Sequence, residues 1–488
     1  MTETLSTPST GLHTGSHDLA VSPALRDFMT TGWAPSPLPA DLRVPGESLM
    51  AARRARLSAR FPGERLIVPA GRLAVRSNDV DHRFRPHTAF AWLTGFTGED
   101  QPGNVLLMEP AGSGHQAVLY LRPRSSRDGE DFYRDRRYGE YWVGRRPDLD
   151  EAAAMSGLRC EHLDGLAKLL DGAAPTTRLL AGVDGEVDRL VGGDRLRPSG
   201  DDEFTAALAE LRLVKDPWEV GQLQLAVDHT TAGFEDVVRA LPQALRHARG
   251  ERWIEGVFGL RARAEGNGVG YETIAAAGAH ACVLHWTRND GPLDRDQLLL
   301  LDAGVETDTL YTADITRTLP LSGRFSPVQR TAYDLVLAAQ DAGIAALRPG
   351  ARFRDFHQAA MRVIAEGLHE WGVLKVSPEE ALDPASGVYR RWTLCSSGHM
   401  LGMDVHDCAA ARAETYLDGV LEEGHVLTVE PGLYLQPDDE LLPAELRGMG
   451  IRIEDDLVVT ANGAQLMSKA LPREADTIEA WMGALLDG

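Results

Sequence analysis

The chain has 488 residues, more than one ordinary hydrophobic core organises, and 43% of them are hydrophobic, enough to fill a sizeable interior. Against 50 Lys and Arg stand 72 Asp and Glu, a formal net charge of −22 that argues against a nucleic-acid partner, because a phosphate backbone needs clustered cations. No apolar run approaches the ~20 residues that span a bilayer, and the N-terminal "MTETLSTPSTGLHTGSHDLA" lacks the apolar stretch of a secretory signal, so no membrane partner is expected.

Residues 1–44 are rich in Ser, Thr, Pro and Gly, which predicts a mobile arm. From Glu47, "ESLMAARRARLSARFPG" spaces Leu and Ala at helical intervals. "RLIVPAG", "NVLLMEP" and "QAVLYLRP" are apolar runs between turn residues and are expected as buried strands, with "LLAGVDG" from Leu179 as another. Residues 45–204 thus form an α/β pattern, closed by the polar "RLRPSGDDE". Beyond it, Asp216 and Pro217 stand as N-cap and first helical residue of "DPWEVGQLQLAVDHTTAGFEDVVRAL". Ser326 and Pro327 repeat that start in "SPVQRTAYDLVLAAQDAGIAALRPG", and "FRDFHQAAMRVIAEGLHEWG" is a third helix stopped by Gly372. Strands are expected in "DQLLLLDAGVE", "TLYTADITRTLP", "HVLTVEPGLYL" and "GIRIEDDLVVT". Segregated strands and helices predict an α+β domain over 205–488. Cys160, Cys282, Cys395 and Cys408 show no CxxC spacing and are too few for a disulfide framework; reduced thiols and a cytoplasmic location are expected.

Each of those four strands carries a carboxylate: Asp302 in "LLLLD", Asp314 in "TADIT", Glu430 in "LTVEPG" and Glu454 in "IRIED". A buried carboxylate must be paired, protonated or metal-bound. One alone reads as a hydrogen-bonded cap. Four in one domain, with His399 of "GHMLGMDVHD", make a donor set of oxygens and one imidazole suited to two divalent ions.

In that order and with those surroundings, the chain resembles the pita-bread metallopeptidases, in particular the Xaa-Pro aminopeptidase (aminopeptidase P) family. "LLLDAG", "TADITRTLP", "GHMLGMDVHD", "TVEPGLY" and "GIRIEDD" are similar to its five ligand motifs. "VLHWTRND", with His285, and "LRLVKDPWEV" extend the likeness, and "FAWLTGFTGED" carries it more loosely into the first domain. The resemblance implies a C-terminal pita-bread (creatinase/aminopeptidase) domain behind a smaller α/β creatinase-like domain. It implies two divalent ions per chain, Mn²⁺ by family habit and Co²⁺ or Zn²⁺ by donor chemistry. Asp302 would chelate one ion, His399 and Glu430 the other, with Asp314 and Glu454 bridging; a hydroxide between the ions would attack the peptide. Glu430 would also carry protons, His285 and His406 would hold the substrate and polarise its carbonyl, and Arg452 would orient a carboxylate. The implied activity is removal of an N-terminal residue that precedes proline, by a homo-oligomer, dimer or tetramer.

Two departures qualify the likeness. The family usually places a substrate-side histidine four residues before the ligand histidine; here that position is Cys395, in "CSSGH". Asp302 and Asp314 are twelve apart where many relatives show eleven, and the extra residue is expected in the turn "ETDTL". Cys395 keeps other readings open: an altered paralogue acting on a peptide-like metabolite, a prolidase cleaving Xaa-Pro dipeptides, or a non-enzymatic binding protein. The intact ligand set argues against the last, and against creatinase-like chemistry.

Overall fold

The computed structural model describes residues 21–78, 80–170, 176–192 and 199–487. Its contacts divide the chain into Met1–Phe204 and Thr205–Gly488. Residues 1–20 of the expected arm, and residues 195–198 at the start of the polar "RLRPSGDDE", lie outside the described residues. Residues 21–44 differ from a mobile arm. Ser22 caps the helix Pro23–Met29 by accepting from Leu25 N, the N–H of Leu38 donates to Glu151, and Val44 is buried with its N–H on Met155 O. A Ser-Pro helix start and one apolar anchor outweigh the low-complexity composition around them.

The first unit is built on a five-stranded sheet in the order Arg159–His162, Gly114–Leu121, Val105–Ala111, Arg65–Pro69, Thr177–Leu179. The three central strands are antiparallel, and each edge strand runs parallel to its neighbour. Every residue of Arg65–Pro69 is buried, as its continuous apolar run predicts. "LLAGVDG" is not a strand throughout: pairing ends at Leu179, Gly182 takes φ +83°, and Asp184 accepts from Glu186 N and Val187 N to start the helix Gly185–Gly192. Asp184 prefers the cap to the ladder.

In the second unit, Asp216 and Ser326 form full capping boxes on the helices Pro217–Ala244 and Pro327–Ala346. The third helix, Phe353–Glu370, ends at Gly372 with φ +69°. Two of the expected strands are each broken in the middle. "HVLTVEPGLYL" becomes Val426–Val429 and Gly432–Leu435, and "GIRIEDDLVVT" becomes Met449–Arg452 and Asp455–Thr460. Their first and second halves pair in different sheets: Val426–Val429 with Asp455–Thr460, and Gly432–Leu435 with Met449–Arg452. Pro431 has no N–H to continue a ladder, so the first break falls where the sequence requires it. In "TLYTADITRTLP" only Ile315–Pro320 is strand; the preceding residues turn at Thr307–Tyr311 with Leu310 at φ +69°.

These breaks place the carboxylates. Glu430 and Glu454 sit in the two gaps, and Asp302 and Asp314 lie at the ends of the antiparallel pair Leu298–Ala303 and Ile315–Pro320, in which Asp302 faces Thr316. Two glycines are required for this approach. A Cβ on Gly304 would lie 1.8 Å from Ala313 O, and Gly398, at φ +153°, would drive a Cβ to 2.2 Å from Thr428 O. Phe356, Leu427, Val429 and Leu457 form the core behind the gaps. Each buried side chain of that kind contributes about 1.5–3 kcal/mol.

Candidate metal centre

All nine residues singled out from the sequence line one cavity of about 600 Å³: Asp302, Asp314, His399, Glu430 and Glu454 with His285, Cys395, His406 and Arg452. Atoms of Asp314, His399 and Glu454 that could hold a cation fall within 4.8 Å of one another. His399 Nε2 is 3.2 Å from Asp314 Oδ2 and 3.5 Å from Glu430 Oε1. The other nitrogen, Nδ1, sits 3.1 Å from the Met400 carbonyl, which fixes the ring and turns Nε2 to the carboxylates. Thr428 clamps this residue from below: its Oγ1 accepts from His399 N, and its N–H donates to His399 O.

Arg452 is the one Arg or Lys among the described lining residues. Its Nη2 donates to Asp302 Oδ2 at 2.6 Å, its Nη1 to Tyr434 Oη, and its Nε to Thr316 Oγ1. Thr316 in turn donates to Glu454 Oε2 at 2.6 Å. Tyr271 donates to Asp302 Oδ1 at 2.5 Å, and Asp456 Oδ2 accepts from Asp314 N. Behind them the fully buried Arg317 donates to Glu454 O and pairs with Asp455. Tyr271, Thr316, Tyr434 and Asp456 were missed from sequence. Thr316, Tyr434 and Asp456 stand inside the quoted motifs, so only the pairing of strands reveals their partners.

The two outer histidines are exposed but held by buried charge. Glu251, fully buried, accepts from Ala277 N, His280, Trp286 Nε1 and Gly291 N, which pins both ends of the loop carrying His285. Asp407, next to His406, is buried against Lys215 Nζ at 2.9 Å and Arg212 at 3.0 Å. His406 stands edge-on to His399 with ring centroids 4.4 Å apart. Although the residue is exposed, desolvation on the cavity side of its ring, then the neighbouring His399, lowers its pKa, so it is neutral at pH 7.

Electrostatically the cluster is frustrated. Burial raises Asp302 against the opposing Arg452, pushes Glu430 up to about 7 against His399, and holds Glu454 well above the carboxylate range with Asp314 and Glu430 adding to it. Burial works to lower His399, but its bond to Asp314 and the charge of Glu430 win, and it stands at about 9. Glu454 Oε1 is buried with no hydrogen-bond partner. Carboxylates that cannot all ionise together, an orphaned buried oxygen and one imidazole aimed among them fit divalent cations.

The sign of the pH dependence follows. Without cations His399 carries a proton at pH 7 and Glu430 is close to half-protonated; cations need both groups deprotonated. Cation binding should therefore release more than one proton per chain at pH 7, and affinity should rise with pH from 6 to 9. Isothermal titration of Mn²⁺ in buffers of different ionisation enthalpy measures this; binding with no proton release contradicts the assignment.

A carboxylate-rich, single-imidazole centre at the floor of a cavity of small-ligand size defines a metal-dependent hydrolase. The chain belongs to metallopeptidase family M24: the family model matches residues 222–461, and the model of the aminopeptidase P N-terminal domain matches residues 50–178. Xaa-Pro aminopeptidase 1 of Streptomyces coelicolor is 54% identical over 465 residues, covering 95% of this chain and 93% of that protein. The Xaa-Pro aminopeptidase of Escherichia coli is 30% identical over 440 residues, covering 88% and 96%. Among solved structures, Pseudomonas aeruginosa aminopeptidase PepP matches with a TM-score of 0.77 at 32% identity over 92% of this chain and all of that one. Zinc-substituted E. coli aminopeptidase P in complex with product matches with a TM-score of 0.77 at 29% identity, over 90% and 99%. The expected family and the α+β pita-bread domain behind an aminopeptidase P N-terminal domain are thereby borne out. Among the described residues no helix is long and apolar enough to cross a membrane.

Proposed function

We propose that the chain is a cytoplasmic, dinuclear Xaa-Pro aminopeptidase, working as a dimer or tetramer. The convergence of Asp302, Asp314, His399, Glu430 and Glu454 on one cavity, with Glu454 Oε1 unpartnered, carries the reading. The likeness to Xaa-Pro aminopeptidases supports the substrate class. Asp302 would hold one cation, His399 and Glu430 the other, and Asp314 and Glu454 would be shared. Bound there, divalent cations, Mn²⁺ first among them, supply Lewis acidity and an acidified water as nucleophile.

The chain's own groups do the rest. Glu430, whose Oε1 lies 3.5 Å from His399 Nε2, takes a proton from the attacking water and gives it to the leaving proline nitrogen. His406, neutral at pH 7, offers an N–H to the scissile carbonyl, and His285 faces the same cavity on its pinned loop. Arg452 holds Asp302 in place through its bond to Oδ2 and keeps a positive charge beside the substrate. Release of the free N-terminal residue from Ala-Pro-Ala, but not from Ala-Ala-Ala, by Mn²⁺-loaded protein tests this. Cleavage of the dipeptide Ala-Pro alone would make it a prolidase, and cleavage of neither would reject both.

One observation favours a second reading, an altered paralogue. Cys395 lines the cavity at an exposed position, and desolvation of its thiol, then the charge of Glu430, raises its pKa, so without cations it stays a neutral thiol at pH 7. A neutral thiol replaces the charge-assisted donor that an imidazolium would offer. Cys395→His should raise kcat/KM on Xaa-Pro peptides by roughly 10–100-fold with metal content unchanged. A flat or falling kcat/KM in a folded, metal-loaded variant would show that the thiol suits the native substrate.

A further inference from the structure

Arg146, in the first unit, is buried in an unusual way. The residue is 5% exposed, yet its guanidinium has no hydrogen bond or ion pair among the described residues, and Nη1 is enclosed without a partner. The Tyr138 ring lies 5.2 Å from its Cζ and is shared by Arg122 at 4.3 Å. An unpaired buried cation is costly, and native structures avoid it by pairing or by a bound ion. Arg146 lines a cavity of about 520 Å³, in the size range of small-molecule sites.

The cavity's other charges are largely spent on one another. Arg137 pairs with Asp81 at 3.0 Å, Arg83 with Glu99 at 3.2 Å, and Arg145 with Glu151 at 2.6 Å. Arg136 lies over the Trp142 ring. Asp100, whose charge favours the protonated guanidinium, forms no ion pair with Arg146 and accepts from Gln101 Nε2. Five arginines and three carboxylates line the cavity, and with Arg145 already paired to Glu151 an excess of one positive charge remains, in a chain of net charge −22. A planar guanidinium facing a basic cavity presents paired N–H donors matched to a carboxylate, phosphate or sulfate.

We infer that this cavity binds a small oxyanion, of carboxylate or phosphate class, with Arg146 as its principal anchor.

Sulfate is the probe, titrated calorimetrically into the Mn²⁺-loaded protein with chloride controls at matched ionic strength. The metal centre is common to wild type, Arg146→Met and Asp100→Asn, so differences among the three report on the cavity. Saturable binding is expected in the wild type, about 10-fold or more weaker in Arg146→Met. Asp100→Asn removes the competing carboxylate and should tighten binding a few-fold. Without sulfate, Arg146→Met should melt no lower than wild type, because it loses an unpaired buried charge. Equal binding in all three proteins, or none that saturates, overturns the inference: the guanidinium is then merely hydrated. A change in the mass of the Arg146→Met assembly by light scattering also overturns it, because the guanidinium is then paired by a second copy of the chain.

Discussion

Replacing Asp314 with alanine should abolish stable cation binding at both positions and lower Xaa-Pro hydrolysis by at least ~10³-fold, the loss that corresponds to several kcal/mol of metal-supplied stabilisation. Asp314 reaches His399 Nε2 at 3.2 Å and shares a ligand cluster with Glu454, so its loss disturbs every shared contact. Glu454→Ala should behave alike. Stability should move the other way in the cation-free protein. Asp314 raises the pKa of Asp302, Glu430 and Glu454, so deleting it relieves repulsion among buried carboxylates. The expected pattern is an unchanged or higher melting temperature without cations, and no stabilisation when Mn²⁺ is added. Elemental analysis, calorimetry and peptide kinetics on both variants read it out. Retained binding of two ions by Asp314→Ala would remove this residue from the centre.

Glu430→Gln should lower kcat by at least ~10², the usual size of a general acid–base contribution, with at most a modest change in KM. The amide keeps the side chain's shape and one oxygen toward the cations but cannot accept and return a proton. Glu430 is also where the pH dependence arises. Its carboxyl stands at about 7 before cations bind, and bound cations favour the ionised form, so the acid limb of kcat/KM should lie below pH 7 in the loaded wild type. That limb should disappear in Glu430→Gln. Near-normal turnover in the fully loaded variant would transfer the proton role to another group.

Much of this site could be read in the sequence because each candidate ligand sits in a short motif whose neighbours dictate the backbone. Pro431 stops a strand beside Glu430, and Gly398 alone fits against Thr428 O beside His399. What could not be read is whatever depends on strands meeting. "HVLTVEPGLYL" and "GIRIEDDLVVT" look like single strands because both halves of each are apolar, yet each crosses between two sheets at its glutamate. Tyr271 lies 31 residues before Asp302 in a loop without periodicity, so no local pattern announces their bond. Glu251 is an acid in a helix like many others until the fold brings four donors to it. In the first unit "LLAGVDG" has strand composition throughout, but Asp184 caps a helix at its end.

The measurement closest to the central claim is the number of cations the wild-type centre holds. Three buried carboxylates, the half-buried Glu430 and one imidazole, with Arg452 neutralising only one charge, call for two divalent ions. Mn²⁺ added to chelator-stripped protein, followed by elemental analysis after removal of free metal, should saturate at two ions per chain and restore hydrolysis of Ala-Pro-Ala in parallel. Saturation at one ion per chain, or full activity with none, would contradict the dinuclear account.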